Sequence, residues 1–169
     1  IHYHITSGNA EHVLEYLDKG LIDFGLLFSQ VDSQKYEAIP VPVKDTWGVL
    51  MRKDSPLAQK ESISPEDLWD KPLITSHQKG DDTYLGGWLK REASKLNIVF
   101  NASLLVDEGL GYAICYDKLI NTHGSNLCFR PFSPRLEAHG FIVWKKYQVF
   151  SKAAGTFLQC LREMLETDQ

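Results

Sequence analysis

Thr75-Ser76-His77 closes the apolar run Pro72-Leu73-Ile74 and precedes an amphipathic stretch that starts at Asp81 or Asp82. Two hydroxyls and an imidazole at the carboxyl end of a strand are hydrogen-bonding groups of the kind that hold small ligands in open α/β sheets. The same three residues also suit a turn whose backbone they would cap, and both readings stand. His2 and His4 fall on one face of an apparent strand, a geometry that suits a metal, but no third ligand of fitting spacing follows; no metal or cofactor is expected. There is no Gly-x-Ser-x-Gly, no cysteine with a plausible histidine partner, and no carboxylate pair outside helix caps, so no catalytic residue is assigned. Asp81-Asp82 reads as a helix start, and Gly109-Leu110-Gly111 lacks the third glycine of a dinucleotide loop.

These groups need a scaffold. With 43% hydrophobic and 24% charged residues in 169, the chain can bury a core of one ordinary domain. The formal net charge of -4 with scattered Lys and Arg speaks against a phosphate-backbone grip. No run approaches the roughly 20 apolar residues of a membrane span, and Ile1-His2-Tyr3-His4 is unlike a signal peptide. Cys115, Cys128 and Cys160 lie in or beside apolar runs and suit reduced core thiols, hence a cytoplasmic setting.

Ile1, Tyr3 and Ile5 alternate with polar residues as in a half-buried strand, and Asn9 caps a helix whose stripe is Val13, Leu14 and Leu17, stopped by Lys19-Gly20. Leu21 to Phe28 is nearly continuous and apolar, which predicts a strand covered on both faces and so a parallel βαβ unit. A second extended segment runs through Thr46 to Met51 into the turn Arg52-Lys53-Asp54-Ser55-Pro56. Ser64-Pro65-Glu66-Asp67-Leu68 predicts a short capped helix, Pro72 to Thr75 a strand, and Leu85, Trp88 and Leu89 a longer helix. Strands at 97–100, 112–115 and 141–144, a helix ending at Gly109 and a final helix over 151–165 complete an α/β alternation whose length suggests two small sheets. Trp47, Trp88 and Trp144 are expected in the core.

Several stretches, in order, resemble the effector-binding domain of LysR-type bacterial transcriptional regulators. They are Ser7-Gly8-Asn9 leading a helix into Gly20 to Leu27, then Arg52 to Ala58, Ile63 to Leu68, Pro72 to Ile74, Glu108 to Gly111, and Ile142 to Lys146 before the last helix. Each is weak alone, but five or six in one order are strong. The resemblance implies an α/β fold of the type 2 periplasmic-binding-protein kind, with two Rossmann-like lobes joined by two crossing segments. Lobe 1 would take 1–73 with 147–169 and lobe 2 would take 74–146, with a small-molecule cleft between them. The family domain usually opens with one more strand and helix, and upstream of that lies the winged helix-turn-helix; both are absent here. The interval from Asn97 to Gly109 is shorter than the family needs, so either the sheet is trimmed there or residues are missing, and the expectation favours missing residues at the Val99-Phe100 junction.

By the same resemblance Thr75, Ser76 and His77 fall at the first crossing, and Asn101, Ser103, Phe28 and Thr46 become cleft candidates near strand ends and a helix start. Phe129, Arg130 and Pro131 would line the far wall, where Arg130 either pairs an anionic effector or is a solvated surface cation. The implied function is effector sensing and oligomerisation for a transcriptional regulator, with no enzyme activity. The effector would be a small molecule such as a small carboxylate, the assembly a homodimer or homotetramer, and DNA contact would come only through the absent part, with no membrane partner. Two rivals share the scaffold, a solute-binding protein for transport and an enzyme, since function sits in the site and not in the fold.

Overall fold

The computed structural model describes residues 2–76, 94–96 and 99–167. They gather into two compact units: unit 1 is Ile1–Lys44 with His139–Gln169, and unit 2 is Asp45–Ala138. The chain passes from one unit to the other inside two long strands, at 44/45 and 138/139.

In unit 1, helix α1 (Ala10–Asp18) begins where Asn9 Oδ1 accepts the His12 N–H at 2.9 Å and ends at Gly20, whose φ of +67° is costly for any other residue. Leu17 is fully buried with Leu27, Tyr36 and Val143. Strand β1 (Gly25–Leu27) pairs antiparallel with the end of β7 (Glu137–Lys145), Gly25 opposite Val143. A Cβ on Gly25 would lie 2.4 Å from Val13, so the glycine is what lets α1 lie this close to the strand. Helix α3 (Lys152–Thr167) buries Ala154 and Leu158, and Phe24 packs against Phe150, Phe157 and Trp144.

Two expectations fail here. Residues 2–6 form no strand, and Tyr3 and Ile5 are 79% and 83% exposed. Alternation stabilises a strand only when a ladder partner and a covering layer exist, and the described residues supply neither. The run 21–28 yields only three strand residues, buried in alternation with Leu26 outward, and its ladder to β7 is antiparallel, so the expected parallel βαβ unit is not formed among the described residues.

In unit 2 the sheet order is β4-β3-β5-β2-β6, built from β2 (Tyr36–Arg52), β3 (Leu73–Ser76), β4 (Ser94–Leu96), β5 (Tyr112–Tyr116) and β6 (Leu127–Pro131). β3 runs parallel to β4 and β5, while β2 is antiparallel to β5 and β6. Helix α2 (Val99–Asp107) places Ala102 and Val106 on Leu50, Ile74, Ala113, Cys115 and Leu127, and its exit turns at Gly109, φ +76°. Val99 and Phe100, expected in a strand, belong to this helix, and the strand lies earlier at 94–96. Periodicity cannot separate a short apolar run from a buried helix segment, and here the helical stripe through Ala102 and Val106 wins.

The predicted helix at 64–68 is a single 3-10 turn, Pro65–Leu68, following another at Pro56–Gln59. The Asp67 carboxylate accepts from the Ser64 N–H (3.1 Å) and hydroxyl (3.0 Å). Ile63 docks the segment on Phe132, its N–H donating to the Pro131 carbonyl at 2.9 Å. Trp47 and Trp144 are buried as expected, while Trp88 and the helix predicted from Asp81 or Asp82 lie outside the described residues. Among the described residues no helix is long and apolar enough to cross a membrane.

Candidate ligand site

Because β3, β4 and β5 are parallel, their carboxyl ends share one edge of unit 2. β2 enters at that edge, since Trp47 lies opposite Tyr116, the last residue of β5. Helix α2 starts there too, shortly after β4. The edge thus gathers Thr46, Thr75, Ser76, Asn101 and Ser103, five of the nine residues the sequence singled out. Thr75 and Ser103 are each only 6% exposed, Thr46 is half-buried and Asn101 is exposed. Burying two short hydroxyls beside a helix start provides neutral hydrogen-bonding groups without adding charge.

Thr46 is fixed from three sides. Its N–H donates to the Asp45 carboxylate at 2.8 Å, its carbonyl accepts the Asp117 N–H at 2.9 Å, and its hydroxyl accepts from Arg135 at 3.1 Å. Burial raises the Asp45 carboxyl above the usual carboxylate range, the Thr46 N–H opposes the rise, and the charge of Asp117 adds to it. Burial likewise pushes the Cys115 thiol up to about 12, with Asp117 and Asp45 contributing, which keeps it a thiol. All three cysteines are free, but only Cys115 is in the core: Cys128 is half-buried and Cys160 exposed, against the expectation of three core thiols.

The remaining candidates separate. Phe28 belongs to unit 1, half-buried just after β1, and His77 lies outside the described residues. Phe129 and Arg130 sit on β6, where with Thr46 they line an open concavity of about 1060 Å³ within unit 2. Arg130 is neither free nor merely solvated. Its guanidinium donates to the carbonyls of Lys60 (2.7 Å), Ala58 (2.8 Å) and Phe129 (2.9 Å), which pins the 56–60 turn to β6. His2 and His4 are exposed. Sequence reasoning missed Lys53, Asp117, Lys118 and Arg135, which line the same concavity; only the strand pairing brings them together.

A family model, the LysR substrate binding domain, matches residues 1–166, and the chain belongs to that family. It is 29% identical, over 168 residues, to the HTH-type transcriptional regulator YvbU of Bacillus subtilis (strain 168), covering 95% of this chain and 56% of that protein. Among solved structures, the effector-binding domain of QuiR in complex with shikimate superposes with a TM-score of 0.77 at 18% identity, covering 91% of this chain and 77% of that one. HinK, a LysR family regulator from Pseudomonas aeruginosa, gives 0.76 at 18% identity over 96% of this chain and 59% of its own. The regulatory domain of Synechocystis PCC6803 CcmR in complex with 2-PG gives 0.73 at 17% identity, covering 92% and 79%. The fold is thus that of LysR effector-binding domains, the type 2 periplasmic-binding-protein-like class. The chain spans only 56% of YvbU and 59% of HinK.

Proposed function

We propose that this chain is the effector-sensing and oligomerising part of a cytoplasmic LysR-type DNA-binding regulator, and that it does no chemistry on its ligand. The observation that carries the reading is the convergence of Thr46, Thr75, Ser76, Asn101 and Ser103 on the carboxyl edge of unit 2's parallel strands, in a chain of this family. By sequence His77 extends this set, and the resemblance adds Phe28 as a further candidate and Phe129 and Arg130 as a wall. The hydroxyls and the Asn101 amide suit a small carboxylate, and shikimate, bound by the QuiR domain, is one. A ligand that binds one arrangement of the regulator better than another shifts its population, and a homodimer or homotetramer would pass that shift to DNA-binding parts elsewhere in the protein.

The test is a thermal-shift screen of small carboxylates, with wild type beside Thr75→Ala and Ser76→Ala. A ligand at 100 times its Kd adds about 2.7 kcal/mol, which moves the midpoint by several degrees. The expected result is a shift that both variants lose. A shift that survives both places the site away from this edge, and turnover of the ligand during incubation would overturn the reading in favour of an enzyme.

A further inference from the structure

We propose that Arg135 takes the effector's carboxylate at the Thr46 end of the edge, and that Asp117 beside it selects an effector with a hydroxyl or ammonium next to that carboxylate. This deepens the effector reading of the same site and rests on it. Thr46, Asp117 and Arg135 line one concavity, and backbone pairing brings them together. The Asp117 N–H donates to the Thr46 carbonyl at 2.9 Å, one step beyond the pairing of Trp47 with Tyr116, so the two residues continue the β2–β5 register. Side chains directly opposite in an antiparallel ladder share a face, with Cβ atoms about 5 Å apart. That face is the one on which α2 packs, since Thr46 alternates with Leu50, which is clustered with Ala102 and Val106. The Trp47 N–H donates to the Leu136 carbonyl at 2.9 Å, which holds Arg135 beside Thr46.

The described arginines of unit 2 differ in what they have left to give. Arg52 holds the Asp54 carboxylate with two nitrogens and the Asp107 carbonyl with the third, and Arg130 is spent on three carbonyls. The Arg135 side chain is 68% exposed; its Nη2 donates to the Thr46 hydroxyl at 3.1 Å, and its Nε faces Glu137 at 3.4 Å, longer than a well-formed charged hydrogen bond. Its Nη1 serves no acceptor among the described residues. Because the Thr46 oxygen accepts from Arg135, the hydroxyl proton is left to donate to a ligand. A guanidinium with spare donors next to such a hydroxyl makes a seat for a carboxylate. Asp117 sets the second requirement. Its carboxylate accepts the Lys118 N–H at 2.9 Å and stands opposite Thr46, so a plain carboxylate ligand would bring a like charge close to it. A hydroxyl or ammonium on the adjoining carbon turns that repulsion into a hydrogen bond, while the ligand's carboxylate keeps Arg135 and Thr46.

The experiment is an amide-resolved NMR titration of the chain with lactate and L-alanine as probes and propionate as the analogue that lacks the donor. Lactate, alanine or both should give saturable shifts centred on the amides of Thr46, Asp117 and Arg135, with propionate several-fold weaker. Alanine above lactate would mark the donor as an ammonium, and lactate above alanine as a hydroxyl, each in support. Arg135→Gln changes an exposed side chain, so the fold should persist while probe binding weakens by about fivefold or more, and Arg135→Lys should restore part of the loss. Asp117→Asn should move the ligands in opposite directions, alanine weaker and propionate stronger, which a purely structural role for Asp117 would not produce. Propionate binding as tightly as both probes, or indifference to Arg135→Gln, would overturn the proposal. Absence of any saturable shift from lactate and alanine would overturn it too, while the effector reading would still be judged by the thermal-shift screen with Thr75→Ala and Ser76→Ala.

Discussion

The segment from Arg52 to Leu68 and the carboxyl edge of the unit 2 sheet are both rich in polar side chains, yet they use them in opposite ways. In the first, polar groups close on one another: Arg52 on the Asp54 carboxylate and the Asp107 carbonyl, Ser55 on the Tyr112 hydroxyl, Lys60 on Asp67. Their charges are matched, and the Lys60 ammonium pulls the Asp67 carboxyl below its usual range. At the edge, short hydroxyls are buried and the Asp45 carboxyl is pushed up. Matched charge pairs build the first region into a scaffold, whereas the second combines buried neutral hydroxyls with a carboxyl whose pKa burial raises.

The largest effect should come from β2, which joins the two regions. A Cβ at Gly48 would fall 2.3 Å from the Arg130 carbonyl and 2.4 Å from the Phe129 ring. Backbone cannot retreat as a flexible side chain does, so Gly48→Ala should destabilise by about 1–3 kcal/mol in urea unfolding and disturb β6 as well. A change within a few tenths of a kcal/mol, an ordinary surface effect, would mean that β6 is not fixed where it is seen.

A smaller effect is expected within the scaffold. Tyr112→Phe removes the 3.0 Å hydrogen bond to Ser55 and should cost about 1 kcal/mol of stability, with carboxylate effectors binding as before. If that variant lost ligand response while keeping its unfolding midpoint, the division into scaffold and site would collapse.

How much of this could be read beforehand follows the same division. Local signals were legible: the Asn9 cap, the Gly20 and Gly109 stops, the Pro72–Thr75 strand and the final helix all depend on residues close in sequence. The strand expected at 1–6 was not, because alternation cannot say whether a neighbouring strand exists to pair with it. At the edge, Thr75 and Ser76 stood out because they end an apolar run. Arg135 and Asp117 did not, since only folding brings them to Thr46, which is 89 residues from Arg135 in sequence. Arg130 was recognised as a notable cation, but two of the three carbonyls it serves, Ala58 and Lys60, lie about 70 residues away, beyond any periodicity.

The smallest effect is also the most direct probe of the contrast, since the two carboxyls should respond to pH with opposite signs. Asp45 holds its proton more tightly folded than unfolded, so its ionisation opposes folding once the pH rises above the unfolded-chain value near 4. Asp45→Asn should therefore stabilise relative to wild type at pH 7, and that gain should vanish as the pH falls below that value. Asp67 is the reverse: its proton is held less tightly in the fold, so its contribution is present above the unfolded value and disappears as the pH drops through the folded one. Asp67→Asn should lose stability at pH 7 and converge on wild type in acid. Urea midpoints at pH 7 and pH 3 for both variants decide it. Differences of the same sign would show that the edge is built on the same charge pairing as the scaffold, and the contrast between the two regions would fall.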